Sequence, residues 1–169
     1  LVDFSMMLNR LDEAIAIGEY LLERDPTSFF CYHNLMVGYY RAQRYDKVGE
    51  LYFASRALGF EHPTLTLLYG LALLELNEAE EALRQFDAVD LTSVRRPLRL
   101  AAYARAYWAL NRRSEFDSAI AELRELEPIG AANVYALTGN LAAAFAIYDE
   151  QPKLPPELFA HFAMASAAV

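Results

Sequence analysis

Cys31 lies two residues before His33, and a thiol beside an imidazole is the pairing from which cysteine nucleophiles are made. The residues around them read as helix, however. Positions i and i+2 of a helix point about 200° apart, so these side chains cannot engage each other and Cys31 reads as a structural thiol. The three histidines, His33, His62 and His161, stand in three different segments. None has a second histidine four residues away, the spacing by which one helix face grips zinc. Seven glycines are scattered without the pattern that cradles a phosphate. The acid pairs Asp12-Glu13 and Glu80-Glu81 open helices, where they complement the positive end of the dipole. No catalytic residue, metal or cofactor is expected, and the chain reads as a non-enzyme.

Any positioning of side chains here must come from helices. Of 169 residues, 28 are Ala and 26 are Leu against seven Gly and seven Pro, a balance that favours helix, and no strand pattern occurs. An apolar content of 55% suffices for a core. Charge or amide interrupts every apolar stretch, so membrane insertion is not expected. A soluble chain in the cytoplasm is the expectation, with the periplasm as the alternative; one cysteine excludes an internal disulfide. A start at Leu1 and an apolar end at Ala167-Ala168-Val169 suggest a piece excised from a longer protein.

The net charge of −8 is uneven. Residues 1 to 94 carry the whole excess of acid, whereas residues 95 to 113 hold six arginines (Arg95, Arg96, Arg99, Arg105, Arg112, Arg113) and no acid. The acidic total argues against nucleic acid as a partner, since a phosphate backbone requires a net basic surface.

Self-similarity is the strongest signal. Asp12-Glu13-Ala14-Ile15, Asp46-Lys47-Val48-Gly49 and Glu80-Glu81-Ala82-Leu83 recur every 34 residues, as do Phe29, Pro63 and Pro97, Met36, Gly70 and Ala104, and Gly18, Tyr52 and Phe86. The period predicts helices near 10–24, 28–42, 45–58, 63–76, 79–89, 97–111, 115–126, 129–138 and 140–150. The end of an earlier helix is expected at 1–8, and a last helix at 156–168 after Pro155-Pro156. Ala119 follows Ala82 by 37 residues, which predicts a three-residue insertion and a bulge in the turn Asn111-Arg112-Arg113-Ser114-Glu115.

These residues resemble the tetratricopeptide repeat, whose pattern is Trp-x-x-Leu-Gly-x-x-Tyr, then Ala-x-x-x-Phe, then Pro. The chain carries Tyr32-x-x-Leu35-Met36-x-x-Tyr39 with Val48-x-x-x-Tyr52, and Tyr69-Gly70-x-x-Leu73 with Ala82-x-x-x-Phe86. The resemblance implies an all-α fold, a right-handed α–α superhelix of four to five helix pairs closed by a C-terminal helix. It forms one repeat domain over 1–169, with units at 1–28 (truncated), 29–62, 63–96, 97–128 and 129–151. Regions of this kind also resemble, more loosely, the C-terminal repeats of bacterial signalling proteins. The run Asn9 to Ile15, the stretch Gly38 to Asp46 and the short unit Ala131 to Gly139 carry that likeness.

The resemblance further implies a non-enzymatic scaffold that holds a peptide or protein segment against the inner wall of the superhelix. Ligand-facing places in the family give Phe30, His33, Val37, Tyr40 and Arg41, then Thr64, Leu67, Leu71, Leu74 and Glu75, then Leu98, Ala101, Arg105, Trp108 and Ala109. Ala101, Arg105, Trp108 and Arg112 also share one helix face by spacing alone. The groove is therefore expected to use Phe30, His33, Tyr40, Arg41, Leu67, Leu71, Arg105, Trp108 and Arg112, with the arginines taking an acidic group and the aromatics an apolar one. Trp108 has two readings, an anchor for a ligand or a filler between helix pairs. A two-carboxylate clamp of the chaperone-binding kind is disfavoured, because Thr64 and Leu68 stand where its basic residues belong. The alternative is a structural module that oligomerises through the exposed ends of the array, Leu1, Phe4, Met7 and Leu8 among them.

Overall fold

The structure, a computed structural model, describes residues 10–151; the expected helices at 1–8 and 156–168 lie outside them. Nine α-helices occur in this range, with no strand among the described residues: α1 (Leu11–Arg24), α2 (Phe29–Arg41), α3 (Tyr45–Ala57), α4 (Pro63–Glu75), α5 (Ala79–Asp87), α6 (Arg96–Ala109), α7 (Arg113–Leu126), α8 (Pro128–Leu137) and α9 (Leu141–Glu150). Pro63 and Pro128 begin their helices and Pro97 is the second residue of α6; prolines there cost nothing, since those N–H groups have no intrahelical acceptor.

Four tight turns fold the pairs α2–α3, α4–α5, α6–α7 and α8–α9 by one device. Gln43, Asn77, Asn111 and Gly139 adopt φ of 58°, 63°, 57° and 82°. The following amides of Arg44, Glu78, Arg112 and Asn140 donate back to the carbonyls of Tyr39, Leu73, Tyr107 and Tyr135 at 2.8–2.9 Å. The left-handed residue reverses the chain while the backward bond satisfies a helix-end carbonyl. The expected bulge after Asn111 is therefore absent: α7 starts at Arg113, 34 residues after the start of α5 at Ala79.

The mistaken insertion has a volumetric cause. In register, Phe116 and not Ala119 occupies the place of Ala82, and Ile120 that of Phe86. Gly70 lacks a side chain where the Phe86 ring presses onto α4, and a methyl there would overlap the ring. One unit later, Ala104 replaces Gly70, Ile120 replaces the aromatic ring, and Phe116 supplies the missing bulk; all three are buried together. Total volume is conserved while the large residue changes place, an exchange that a close-packed interior tolerates.

Each helix packs mainly on its neighbours in sequence, and α2, α4, α6 and α8 also pack on one another in order. The core of the described residues has three large successive clusters, centred on Met36 and Tyr52, on Leu73 and Phe86, and on Phe116 and Leu123, and a small one about Ala14. The described helices thus form an open stack of two layers, not a closed bundle.

Candidate functional site

Helices of the first layer, α2, α4, α6 and α8, touch one another along their backbones, whereas those of the second layer are farther apart and reach each other through long side chains, Tyr52 of α3 to Gln85 of α5 and Arg124 of α7 to Glu150 of α9. The layer with touching members has the shorter arc, so it is the inner wall of the stack.

At the centre of that wall three successive units are tied by one polar knot. Tyr40 of α2 donates through its hydroxyl to Glu75 Oε1 of α4 at 3.0 Å, and Arg105 of α6 donates to the same oxygen at 2.5 Å and to the Tyr40 hydroxyl at 3.3 Å. The side chains of Arg105 and Glu75 are 14% and 29% exposed, so solvent screens the pair little. Burial pulls the Arg105 guanidinium down, but Tyr40 and Glu75 outweigh it and hold the group above its ordinary value. Burial likewise pushes the Tyr40 phenol up, against the opposing pull of Arg105. The knot is internally neutral, and both terminal nitrogens of Arg105 donate within it. Arg105 therefore fixes the rotation of three helices instead of offering an open charge.

The other expected groove residues are divided. Phe30 is 71% exposed on the first turn of α2, and Leu98, in the same register two units on, is 46% exposed on α6. His33 is half-buried one turn inside, its ring stacked 6.0 Å from Phe29 and its Nδ1 3.2 Å from Asn34 Oδ1. Arg41 is exposed at the end of α2 and forms no ion pair among the described residues. Trp108 turns toward α7, its ring 5.0 Å from that of Phe116 and its face covered by the Arg113 guanidinium at 3.8 Å. Arg112 is exposed just before α7, apart from the knot. Leu67 has to be withdrawn from the accessible surface: it is 1% exposed and packs in the cluster of Leu73 and Phe86, with half-buried Leu71 against the same cluster. The wall places judged by sequence position alone include this one because helix phase says which face a residue takes but not how closely the next unit covers it.

Glu75 is the residue the candidate set missed. It stood among the wall positions as an acid in an otherwise leucine-rich stripe. A carboxylate so placed demands a cation from a neighbouring unit, which was the available signal.

The arginine-rich segment is dispersed rather than pooled. Arg95 approaches Glu127 at 3.7 Å, Arg96 pairs with Glu122 at 2.5 Å, Arg99 donates to the Leu91 carbonyl at 2.9 Å, and Arg113 donates to Asn111 Oδ1 at 3.0 Å. These arginines tie α6 to the loop before it and to α7 and its ends. Among the described residues, no three His, Cys, Asp or Glu side chains converge to hold a metal, and no helix is long and apolar enough to cross a membrane.

Two solved structures are similar to the chain. A tetratricopeptide repeat protein from Parabacteroides merdae ATCC 43184 aligns at 18% identity with a TM-score of 0.68, over 99% of this chain and 69% of its own. YrrB, described as a TPR protein with an unusual peptide-binding site, aligns at 21% identity with a TM-score of 0.57, over 88% of this chain and 79% of its own. No protein-family sequence model and no curated protein matches the chain. The chain has the tetratricopeptide-repeat fold, a solenoid of helix pairs. The looser likeness to bacterial signalling proteins gains nothing from these matches.

Proposed function

We propose that the chain is an interaction scaffold whose inner wall receives an extended or helical segment of a partner protein. The carrying observation is the knot of Tyr40, Glu75 and Arg105. It holds three first-layer helices in one arrangement before any partner arrives, while Arg41 next to Tyr40 and, at the starts of α2 and α6, Phe30 and Leu98 remain exposed. A wall organised in advance spares the partner the ordering cost of building its own site. Phe30 and Leu98 supply apolar anchors, and Arg41 and Arg112 supply guanidinium groups for an acidic side chain. His33, Leu71 and Trp108 border the same wall. The peptide-binding site described for YrrB, on the same fold, supports the reading.

Panning a random-peptide display library against the chain tests it. Enriched peptides are expected to bind the double variant Phe30→Ala, Arg41→Ala about tenfold or more weaker, on the scale of two interface anchors. Equal binding to that variant and the parent would overturn the reading. A second reading, self-association, is favoured by one observation: Leu141 and Phe145 on α9 are 55% and 64% exposed on one helix face. Sedimentation that stays monomeric at high concentration would remove it.

A further inference from the structure

A cleft opens on the side of α6 that faces away from Arg105. α5 ends at Asp87, four residues short of the place where α3 ends at Ala57 in the preceding unit. The chain leaves through Val89 into a short 3₁₀ turn, Leu91–Ser93, started by Asp90, whose Oδ1 accepts from the Thr92 amide at 2.9 Å. The last turn missing from α5 leaves an open cleft of about 670 Å³ between that loop, α6 and α7. This is within the roughly 300–1,000 Å³ range of sites that hold a ligand group.

Two tyrosines line it from α6. Tyr103 and Tyr107 are one helical turn apart, half-buried, with rings 5.8 Å apart at 42°. The Tyr103 hydroxyl is used, donating to Asp87 at 3.0 Å, whereas that of Tyr107 makes no hydrogen bond among the described residues. Asp90 borders the cleft from the loop, and Glu115 and Glu122 border it from α7. Glu122 is bound by Arg96, but Glu115 is exposed and has no cationic partner among the described residues. The one basic lining residue, Arg99, is committed to the Leu91 carbonyl. Glu122 is thus taken by Arg96 and Asp90 by its own turn, which leaves Glu115 as the uncommitted carboxylate beside the two aromatic rings, with Arg112 on the far side of Tyr107 from the loop.

We infer that this outer cleft binds a basic segment of a partner protein, an arginine or lysine stem lying against Tyr103 and Tyr107 with its charge turned toward Glu115. An aromatic floor attracts a cation through the ring quadrupole, and a free carboxylate supplies the charge-assisted hydrogen bond. An anionic segment would meet Glu115 as repulsion. The net charge of −8 steers basic partners toward the whole molecule, and the cleft provides the place where one is held. Tyr103 and Tyr107 lie on the face of α6 opposite Arg105, so occupancy of the cleft is independent of the inner-wall reading.

A fluorescently labelled hexa-arginine peptide, titrated at physiological salt and followed by anisotropy and by amide chemical shifts, tests the inference. Saturable one-to-one binding is expected, with shifts concentrated in residues 88–92, 99–107 and 114–122. Glu115→Lys is expected to weaken binding about tenfold, through a direct charge contact, and Tyr107→Leu by about threefold, through loss of the cation–π term. Glu23→Lys makes the same charge change on remote α1 and is expected to leave affinity within about twofold. Equal loss in Glu115→Lys and Glu23→Lys would reduce the binding to bulk charge and overturn the site. So would the absence of saturation, or shifts centred on Phe30 and Arg41. Helical circular dichroism of Glu115→Lys, a change at an exposed position, confirms that the variant compared is folded.

Discussion

Gly70 shows how much of this fold rests on single side chains. Its missing Cβ is the space that the buried Phe86 ring occupies, so Gly70→Ala is expected to destabilise the chain by about 1–3 kcal/mol through overpacking. Adding Phe86→Ile reproduces the Ala104 and Ile120 pairing of the next unit and is expected to recover part of that loss; urea unfolding of the two variants measures both. Tyr39 gives a pH signature. Burial, followed by its hydrogen bond to Glu19 at 2.5 Å, pushes the phenol up to about 12. The folded state therefore keeps a proton that the unfolded chain releases near 10. Stability from this group is whole below pH 10 and is lost as pH rises toward 12. Tyr39→Phe should flatten that alkaline fall, read from thermal melts between pH 9 and 12, although other raised tyrosines retain a share of it. At this scale the sequence made Tyr40 and Arg105 legible as wall residues. Their union through Glu75 was not, because it joins residues 30 and 35 positions apart whose meeting depends on how three helices are rotated.

The helical element is where sequence pattern is most reliable, because a helix closes its own hydrogen bonds and needs only local residues to start and stop. The expected spans agree with the observed helices to within about two residues. The four left-handed turns have the same local origin. At Asn77 the requirement is φ of 63°, which a β-branched residue meets only with strain. Asn77→Val is therefore expected to cost about 1–2 kcal/mol and Asn77→Gly to be neutral or slightly stabilising; denaturant midpoints distinguish them. The missed register at Asn111 has a clear cause. Ala119 reads as the small residue of the crossing, whereas the unit carries its bulk at Phe116, and residue size tracks a repeat position only when neighbouring units keep the same allocation of volume. The early end of α5 was equally hidden, since Val89 and Leu91 continue an apolar pattern that Asp90 interrupts by capping a turn.

For the molecule as a whole, a stack in which each unit leans on its neighbours should not open all at once. Among the described residues, the helices of the central units, α4 to α6, have packed neighbours on both sides, whereas α1 and α9 are packed from one side. Amide hydrogen exchange is expected to be slowest around Leu73 and Phe86 and to quicken toward both described ends; one uniform opening free energy across the chain would count against it. Knowledge of this protein divides along the same physical line. Sequence by itself determined the helices, their pairing and the 34-residue period, because turn chemistry and apolar spacing act over a few residues and repeat wherever they are written. Tertiary structure alone decided that Leu67 is covered, that Arg105 is spent on Glu75, that the arginine run is scattered among separate partners and that a shortened α5 opens a tyrosine-lined cleft. Each of those depends on the distance and rotation between helices, which arise from the packed volume of all their side chains together and from no local pattern.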